Sequence, residues 1–520
     1  MAFDASGSGE LPPLRGSQLL IGTAAMSLAV FMNVLDTSIA NVSIPYIAGD
    51  LGVSPDQGTW VITSFGVANA ISLPLTGWLT RRVGQVRLFT WSTFLFVGAS
   101  FLCALAPSLG LLIAFRVLQG AVAGPMIPLS QALLLSSYPK SKAGAALGIW
   151  SMTSLVAPVV GPLLGGWITD NISWPWIFYI NVPVGLVAGA ATWMVYRKRE
   201  TPTARAPVDG VGLGLLVVWV GALQILLDKG KDLDWFNSAQ IVALAIVSAA
   251  CFIVFIIWEL TDEHPVVDLG LFRLRNFSVS TLAMLLAYGV FFGNVVLLPL
   301  WLQEYMGYTA TLAGLVLAPV GVLAVFLTPI VGRTIDRIDP RLYVTASFAI
   351  FALVFFMRSW FDTQAPLGTL LVPTVIQGAA MACFFVPLLA LGLAGLPPER
   401  IPAASSLMNF ARITSGSFGT SIVTTLWDRR ATLHHSQLVE HLVRGAPLPA
   451  QALGRMQAGG LAPDQKFTVL NRIVDAQAFM LSADDIFYVS GMLFVALVVV
   501  IWLARPVRGG AASQATAGAH

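Results

Sequence analysis

Apolar runs of about twenty residues recur along this chain, and the charged residues fall between them rather than inside them. A helix needs about 20 apolar residues to cross a hydrocarbon core of about 30 Å. Inside that core a segment must satisfy its own backbone N–H and C=O groups, so such runs fold as membrane-spanning helices. Composition agrees: 56% of the 520 residues are hydrophobic and 11% are charged, too apolar for a water-soluble chain of this length. The net charge of +3 gives no basic surface of the kind that binds nucleic acid.

Fourteen helices are predicted, at 19–44, 59–80, 88–106, 109–134, 144–169, 176–196, 210–228, 238–260, 279–303, 310–332, 342–361, 368–394, 403–427 and 485–504. An even number puts both termini on one side. Of the 29 Lys and Arg, eighteen lie in the termini and the even-to-odd connections, among them Arg81, Arg82, Arg87, Lys140, Lys142, Arg197, Lys198 and Arg199. The short connections opposite hold only Lys229, Lys231 and Arg358. By the positive-inside rule both termini are cytoplasmic. The outer connection 429–484 is long, and long segments cross regardless of charge. The polar N-terminus lacks a cleavable signal pattern, so the first run is expected to remain as a helix.

The chain also repeats itself. Shifted by 258 residues, Ala25-Met26-x-Leu28-Ala29 becomes Ala283-Met284-x-Leu286-Ala287, and Asp36 lands on Asn294. Shifted by 255, Pro74-x-x-Gly77-x-x-x-Arg81-Arg82-Val83 becomes Pro329-x-x-Gly332-x-x-x-Asp336-Arg337-Ile338. Gln119-Gly120 recurs as Gln377-Gly378. The expected organisation is two parallel six-helix halves, 19–200 and 276–505, with a helix pair inserted in 201–275. Residues 1–18 and 506–520 are cytoplasmic tails, and 429–484 is a periplasmic loop in the second half.

Asp36 lies in LDTSIANVSIP, inside the first apolar run, and is the one acidic residue deep within a predicted span. A charged side chain at the bilayer centre costs about 3 kcal/mol or more, so such a group faces a partner or a wet cavity and is a functional candidate. A hydrogen-bonded structural Asp is the alternative. His264, His434, His435, His441 and His520 all lie in predicted loops or the tail, which leaves no imidazole to carry a proton through the core. Glu304 and Asp228 sit near outer helix ends. Arg116 is the expected partner of Asp36. Asp36 lies about 12 Å below the outer end of helix one and Arg116 about 10 Å below that of helix four. Two readings of the pair stand: a proton-coupling site, or a fixed ion pair holding two helices.

Arg116-x-x-Gln119-Gly120, the run Gly161-Pro162-Leu163-Leu164-Gly165-Gly166, and GWLTRRVGQVRL at 77–88 resemble three motifs of the major facilitator superfamily. LDTSIANVSIP, Trp176–Pro183 (WIFYINVP) and LPPERIPAASSLMNF at 396–410 are similar to its fourteen-helix drug:proton antiporter branch, and to the EmrB-type multidrug pumps within it. The resemblance implies a major facilitator fold, proton-coupled efflux of hydrophobic or amphipathic drugs and an inner-membrane location. It also implies a periplasmic membrane-fusion adaptor (EmrA-like) and an outer-membrane channel as partners, and it places helices one and four on the central cavity. The loop at 77–88 departs from the family pattern, with Arg81 where an Asp is usual.

Other residues carry expectations of their own. Asn33, Asn41, Gln119, Asn181, Asn294, Gln377 and Asn409 supply neutral polar groups to a greasy cavity. Arg412, alone in helix thirteen, either meets acidic substrates or binds backbone carbonyls between the halves. Gly161, Pro162, Gly165 and Gly166 make a closely packed, bent fifth helix suited to gating. Gly77, Arg81, Arg82, Asp336 and Arg337 form the inner-gate loops. Residues 429–484 carry His434-His435 and a short helix at 466–480. Cys103, Cys251 and Cys383 are lone cysteines in apolar runs, without metal or disulfide spacing. No metal cluster, nucleophile–base pair or phosphate-binding loop suggests an enzyme. The other transport reading is a proton-coupled exporter of one metabolite or hydrophobic acid.

Overall fold

The computed structural model describes residues 13–506 except 54, 140–141, 205–208, 263–264, 309, 336, 441, 443–450, 452–453, 455 and 457–461. All regular structure among the described residues is helical. One-turn pieces aside, the first part of the chain forms α1 (Gly16–Asp50), α2 (Trp60–Ser72), α3 (Thr76–Val83), α4 (Gln85–Ala104), α5 (Leu109–Ala123), α6 (Met126–Ser137), α7 (Ala143–Asn171) and α8 (Asn181–Tyr196). A pair follows, α9 (Gly210–Lys229) and α10 (Ala239–Thr261). The remainder forms α11 (Arg275–Glu304), α12 (Ala310–Leu317), α13 (Pro319–Thr334), α14 (Pro340–Arg358), α15 (Leu367–Ala382), α16 (Phe385–Leu393), α17 (Ile401–Glu440) and α18 (Pro463–Ile501).

Among the described residues, 11 helical stretches are long and apolar enough to cross a membrane, or 12 if the bent pair α2–α3 is one span. The helices of α2–α3 meet at 61°. Pro74 sits at that break and supplies no N–H, so the ladder cannot run through it. The fourth predicted helix breaks between α5 and α6 at Gly124-Pro125, and its repeat breaks at Cys383-Phe384, between α15 and α16. A Cβ on Gly124 would run into Ser72 Oγ, so the breaks of helices two and four meet where only glycine fits. Helix α17 is 40 residues long, and Ser405, Ser406, Asn409, Arg412 and Ser415 make one side of it polar.

Two packing units result. In the first, α1 lies on α7 and α8, and α2 lies on α5; in the second, α11 lies on α17, and α14 on α18. The first has a core around Met26, Phe89 and Trp150 and another around Ile39, Cys103 and Phe178. The second has one continuous core, which takes in Leu216, Trp219 and Val220 of α9. Leu20, Trp91, Met194, Phe326 and Val499 turn their surfaces outward, the apolar belt that lipid covers.

The units touch mainly at the end of the bundle where Leu14 N–H bonds Ser137 O and Arg341 Nη1 bonds Ala504 O. This is the entry end. There a Cβ on Gly77 would lie 2.7 Å from Ala403 Cβ, and one on Gly148 would lie 3.4 Å from Gly332 Cα. Small residues permit this approach of backbones. Gln131 Oε1 accepts hydrogen bonds from Ser405 Oγ and from Asn409 Nδ2 (3.2 Å), and Ser406 Oγ donates to Leu73 O.

At the far end the units are bridged by the intervening pair. Asp228 accepts from Thr63 Oγ1 at 2.5 Å, and Lys229 Nζ reaches Thr59 Oγ1 at 3.2 Å. From the other side Ser421 Oγ donates to Leu227 O (2.6 Å), Trp235 Nε1 to Thr425 Oγ1 (2.9 Å), and Lys231 pairs with Asp428 (2.9 Å). The turn after α9 therefore straps α2 to α17.

The segment expected to be a loop at 429–484 is different. Helix α17 runs on to Glu440, and the predicted short helix at 466–480 is part of α18. Both helices project beyond the apolar layer, which is why an apolar count misses them. They clasp each other: Asp485 takes Arg430 at 2.5 Å and His434 at 2.8 Å, and Phe479 meets Trp427 edge-on at 5.0 Å. Residues 443–450, with Pro447 and Pro449, lie outside the described residues.

Removing one polar anchor on each side of the strap, Asp228→Ala with Trp235→Phe, should destabilise the protein by about 1–3 kcal/mol while membrane insertion is kept. Thermal unfolding of the purified protein in detergent measures this, and an unchanged transition would mean the strap adds nothing to stability.

Candidate functional site

Asp36 and Arg116 meet. Asp36, 2% exposed, is held by three nitrogen donors from two other helices. Its Oδ2 accepts from Arg116 Nη1 at 2.5 Å. Its Oδ1 accepts from Gln119 Nε2 at 3.1 Å and from Asn181 Nδ2 at 2.7 Å. Arg116 and Gln119 stand three residues apart on α5, the spacing that puts two side chains on one helical face. Asn181 opens α8, and its Nδ2 also reaches Ser100 Oγ on α4 at 2.9 Å. Arg116 Nη1 also donates to Gln119 Oε1 at 2.7 Å and Nε to Val61 O at 3.0 Å. The guanidinium lies over Phe65 at 4.3 Å and Phe178 at 5.5 Å.

Charges this deeply buried persist only when paired and hydrogen-bonded. The donor set suits an ionised carboxylate, which only accepts. A proton on Asp36 would cancel the charge facing Arg116 and turn one oxygen into a donor, which its present neighbours cannot receive. Among the described residues no group of three or more His, Cys, Asp or Glu is placed to hold a metal.

The second unit carries a counterpart with other chemistry. Asn294, at the repeat position of Asp36, donates from Nδ2 to Ser490 Oγ at 2.9 Å and to Val290 O at 2.7 Å. Gln377 accepts through Oε1 from Arg358 Nη2 at 2.7 Å, and Thr374 Oγ1 takes the same nitrogen at 3.3 Å. Arg358 was expected in an outer loop; it is instead 1% exposed at the end of α14. Its position is that of Cys103 shifted by 255 residues, and Cys103 Sγ in turn faces Gln119 Oε1 at 3.7 Å. Each unit therefore sets a guanidinium on the same glutamine, from α5 in one and from α14 in the other. That offset was visible in the sequence, but an Arg at a helix end reads as a loop charge.

The other expected site residues are dispersed. Asn33 Nδ2 bonds Ala123 O at 3.2 Å, tying α1 to α5, while Asn41 is exposed. Glu304 is exposed at the end of α11, apart from the Asp36 cluster. Asn409 bonds Gln131 across the units, a role the sequence did not suggest for Gln131. Arg412 is buried between Tyr288 and Phe385. Gly161 and Gly165 lie against α1: a Cβ on the first would be 2.5 Å from Ser38 Oγ, and one on the second 3.1 Å from Ile39 O. Gly166 faces open space, and the side chain of Pro162 lies outside the described residues. Arg81, Arg82 and Arg337 are exposed at the entry end, Arg81 reaching Pro265 O at 3.5 Å and Arg82 lying over Trp78. Asp336 lies outside the described residues.

A sequence model of the Major Facilitator Superfamily matches residues 26–420. The chain is 51% identical over 498 residues to the multidrug export protein EmrB of Haemophilus influenzae, covering 96% of this chain and 98% of that one. It is 48% identical over 497 residues to the fatty acid resistance protein FarB of Neisseria gonorrhoeae, with 96% and 98% covered. Among solved structures, a double-tryptophan mutant of XylE matches with a TM-score of 0.62 at 15% identity, covering 96% of this chain and 98% of that one. At that identity the likeness concerns the fold alone.

Arg116→Gln should destabilise the protein by about 3–5 kcal/mol, because it leaves a buried carboxylate without its cation. Adding Asp36→Asn should recover part of that loss. Thermal unfolding of the two single variants and the double variant reads the coupling, and strictly additive losses would mean the pair is not energetically linked.

Proposed function

Because the chain belongs to the Major Facilitator Superfamily, and within it to the family of EmrB multidrug export proteins, we propose that it exports hydrophobic and amphipathic compounds in exchange for protons. It is a multi-pass transporter of the bacterial inner membrane, not an enzyme. The observation that carries the reading is the Asp36 carboxylate, held by three nitrogen donors inside the bundle. Protonated, it releases Arg116; ionised, it recaptures it. A transporter that must alternate between two states needs a group of this kind.

The proposed motion is a rocking of the two units. Helix α7 is suited to relay it. At the far end Gly161 and Gly165 press it on Ser38 and Ile39, close to Asp36, and at the entry end Gly148 presses it on Gly332. A change at Asp36 therefore acts on a helix that also touches the other unit. The entry-end contacts Gly77–Ala403 and Gln131–Ser405 would have to part for substrate to enter. Glu304, exposed at the far mouth, is the second candidate for proton transfer.

Counting α2–α3, α7 and α17 as spans gives the fourteen helices of the drug:proton antiporter branch. Basic side chains at the entry end favour cytoplasmic termini. The hairpin of α17 and α18 would then project into the periplasm, where an EmrA-like membrane-fusion adaptor and, beyond it, an outer-membrane channel would complete a tripartite pump.

The test uses purified protein in liposomes with an imposed pH gradient. Addition of amphipathic drugs should trigger proton movement in the wild type. Asp36→Asn, folded and still binding drug, should show none. Continued exchange by that variant would move the coupling site elsewhere, with Glu304 the next group to replace.

A further inference from the structure

Arg412 sits on α17 with 9% of its surface exposed. Its guanidinium forms no hydrogen bond and no ion pair with any described residue, and its Nε is buried without a partner. The other two buried arginines also leave one nitrogen each without a partner, Arg116 Nη2 and Arg358 Nε, but both guanidinium groups are hydrogen-bonded. Arg116 bonds Asp36, Gln119 and Val61 O, and Arg358 bonds Gln377 and Thr374. Arg412 has only rings: Phe385 at 5.0 Å and Tyr288 at 5.6 Å from the guanidinium carbon. If its role were to tie the units together through backbone carbonyls, those bonds would be present. They are not.

The position is informative as well. Arg412 is three residues beyond Asn409, hence on the same face of α17. Asn409 faces the first unit through Gln131, so Arg412 lies one turn above the entry-end seal, at the boundary where a rocking transporter opens. Its wall is apolar: Tyr288 stacks on Phe292 at 5.5 Å and meets Phe385 edge-on at 6.0 Å. A guanidinium offers five donors in a planar fork that matches a carboxylate. A buried fork with no carboxylate partner among the described residues, set among aromatic rings, is built for a ligand with an acid group and an apolar body.

We propose, on the premise of the exporter reading, that Arg412 determines specificity by binding the anionic head of amphipathic substrates, while Tyr288 and Phe385 receive the adjoining apolar part. Organic anions are then favoured over neutral amphiphiles. Amphiphilic cations are disfavoured, because their charge meets an uncompensated guanidinium.

The experiment measures binding to the full-length protein in nanodiscs, corrected against empty nanodiscs. The probes are a twelve-carbon carboxylate, its primary amide and the trimethylammonium compound of equal chain length, at a pH where the carboxylate is ionised. The wild type should bind the carboxylate about tenfold or more tightly than the amide, as a charge-assisted bidentate bond implies, and the cation most weakly. Arg412→Gln should abolish that preference and leave amide affinity within about twofold; Arg412→Lys should retain part of it. Equal binding of carboxylate and amide by the wild type overturns the proposal without needing any variant. So does an Arg412→Gln protein that loses both ligands equally, which would mark Arg412 as a packing residue. Failure of the exporter reading looks different: proton flux is absent in the wild type although the carboxylate is still preferred.

Discussion

One carboxylate held away from water sets the terms for the first half of this protein. An ionised Asp36 can stay inside the bundle only if nitrogen donors surround it, and three other helices contribute to that shell. Arg116 and Gln119 come from α5, Asn181 from α8, and Ser100 of α4 holds Asn181 in turn. The cluster lies between two apolar cores, so little water competes for its bonds and each is stronger than it would be at a surface. The same isolation makes a mismatch costly.

The second half shows what happens to this scaffold when the carboxylate is absent. Asn294 and Ser490 keep a hydrogen bond between α11 and α18, as Asp36 and Asn181 do between α1 and α8. Gln377 keeps a guanidinium partner, but it arrives from α14. The geometry of the repeat survives while the carboxylate does not. The halves share architecture and differ in the charged groups that they bury.

Small residues and the intervening helix pair determine where the halves can separate. At the entry end Gly77, Gly148 and Gly332 let backbones touch, contacts that are close yet contain few directional bonds. At the far end the turn after α9 bonds both α2 and α17 through Asp228, Leu227 and Trp235. A glycine-rich seal that also carries hydrogen bonds from Ser405, Ser406 and Asn409 closes one end, and a polar strap closes the other.

Much of this was legible in the chain itself. Runs of apolar residues declare membrane helices because the bilayer imposes a length and a polarity on each segment independently. The repeat, the Asp36–Arg116 depth match and the family motifs are likewise properties of short stretches. The breaks at Pro74, Gly124-Pro125 and Cys383-Phe384, the helical continuation through 428–440 and the burial of Arg358 were not legible as apolar runs. The residues that complete the site, Ser100, Val61, Phe65 and Phe178, carry no local mark either. Their roles depend on which side chains from distant parts of the chain come to share a few ångströms. Segment composition thus determined that the chain crosses a membrane with one ionisable group in its path. Only tertiary packing decided that this group has a full shell of donors while Arg412 has no acceptor among the described residues, because hydrogen bonds are satisfied in space and not along the sequence.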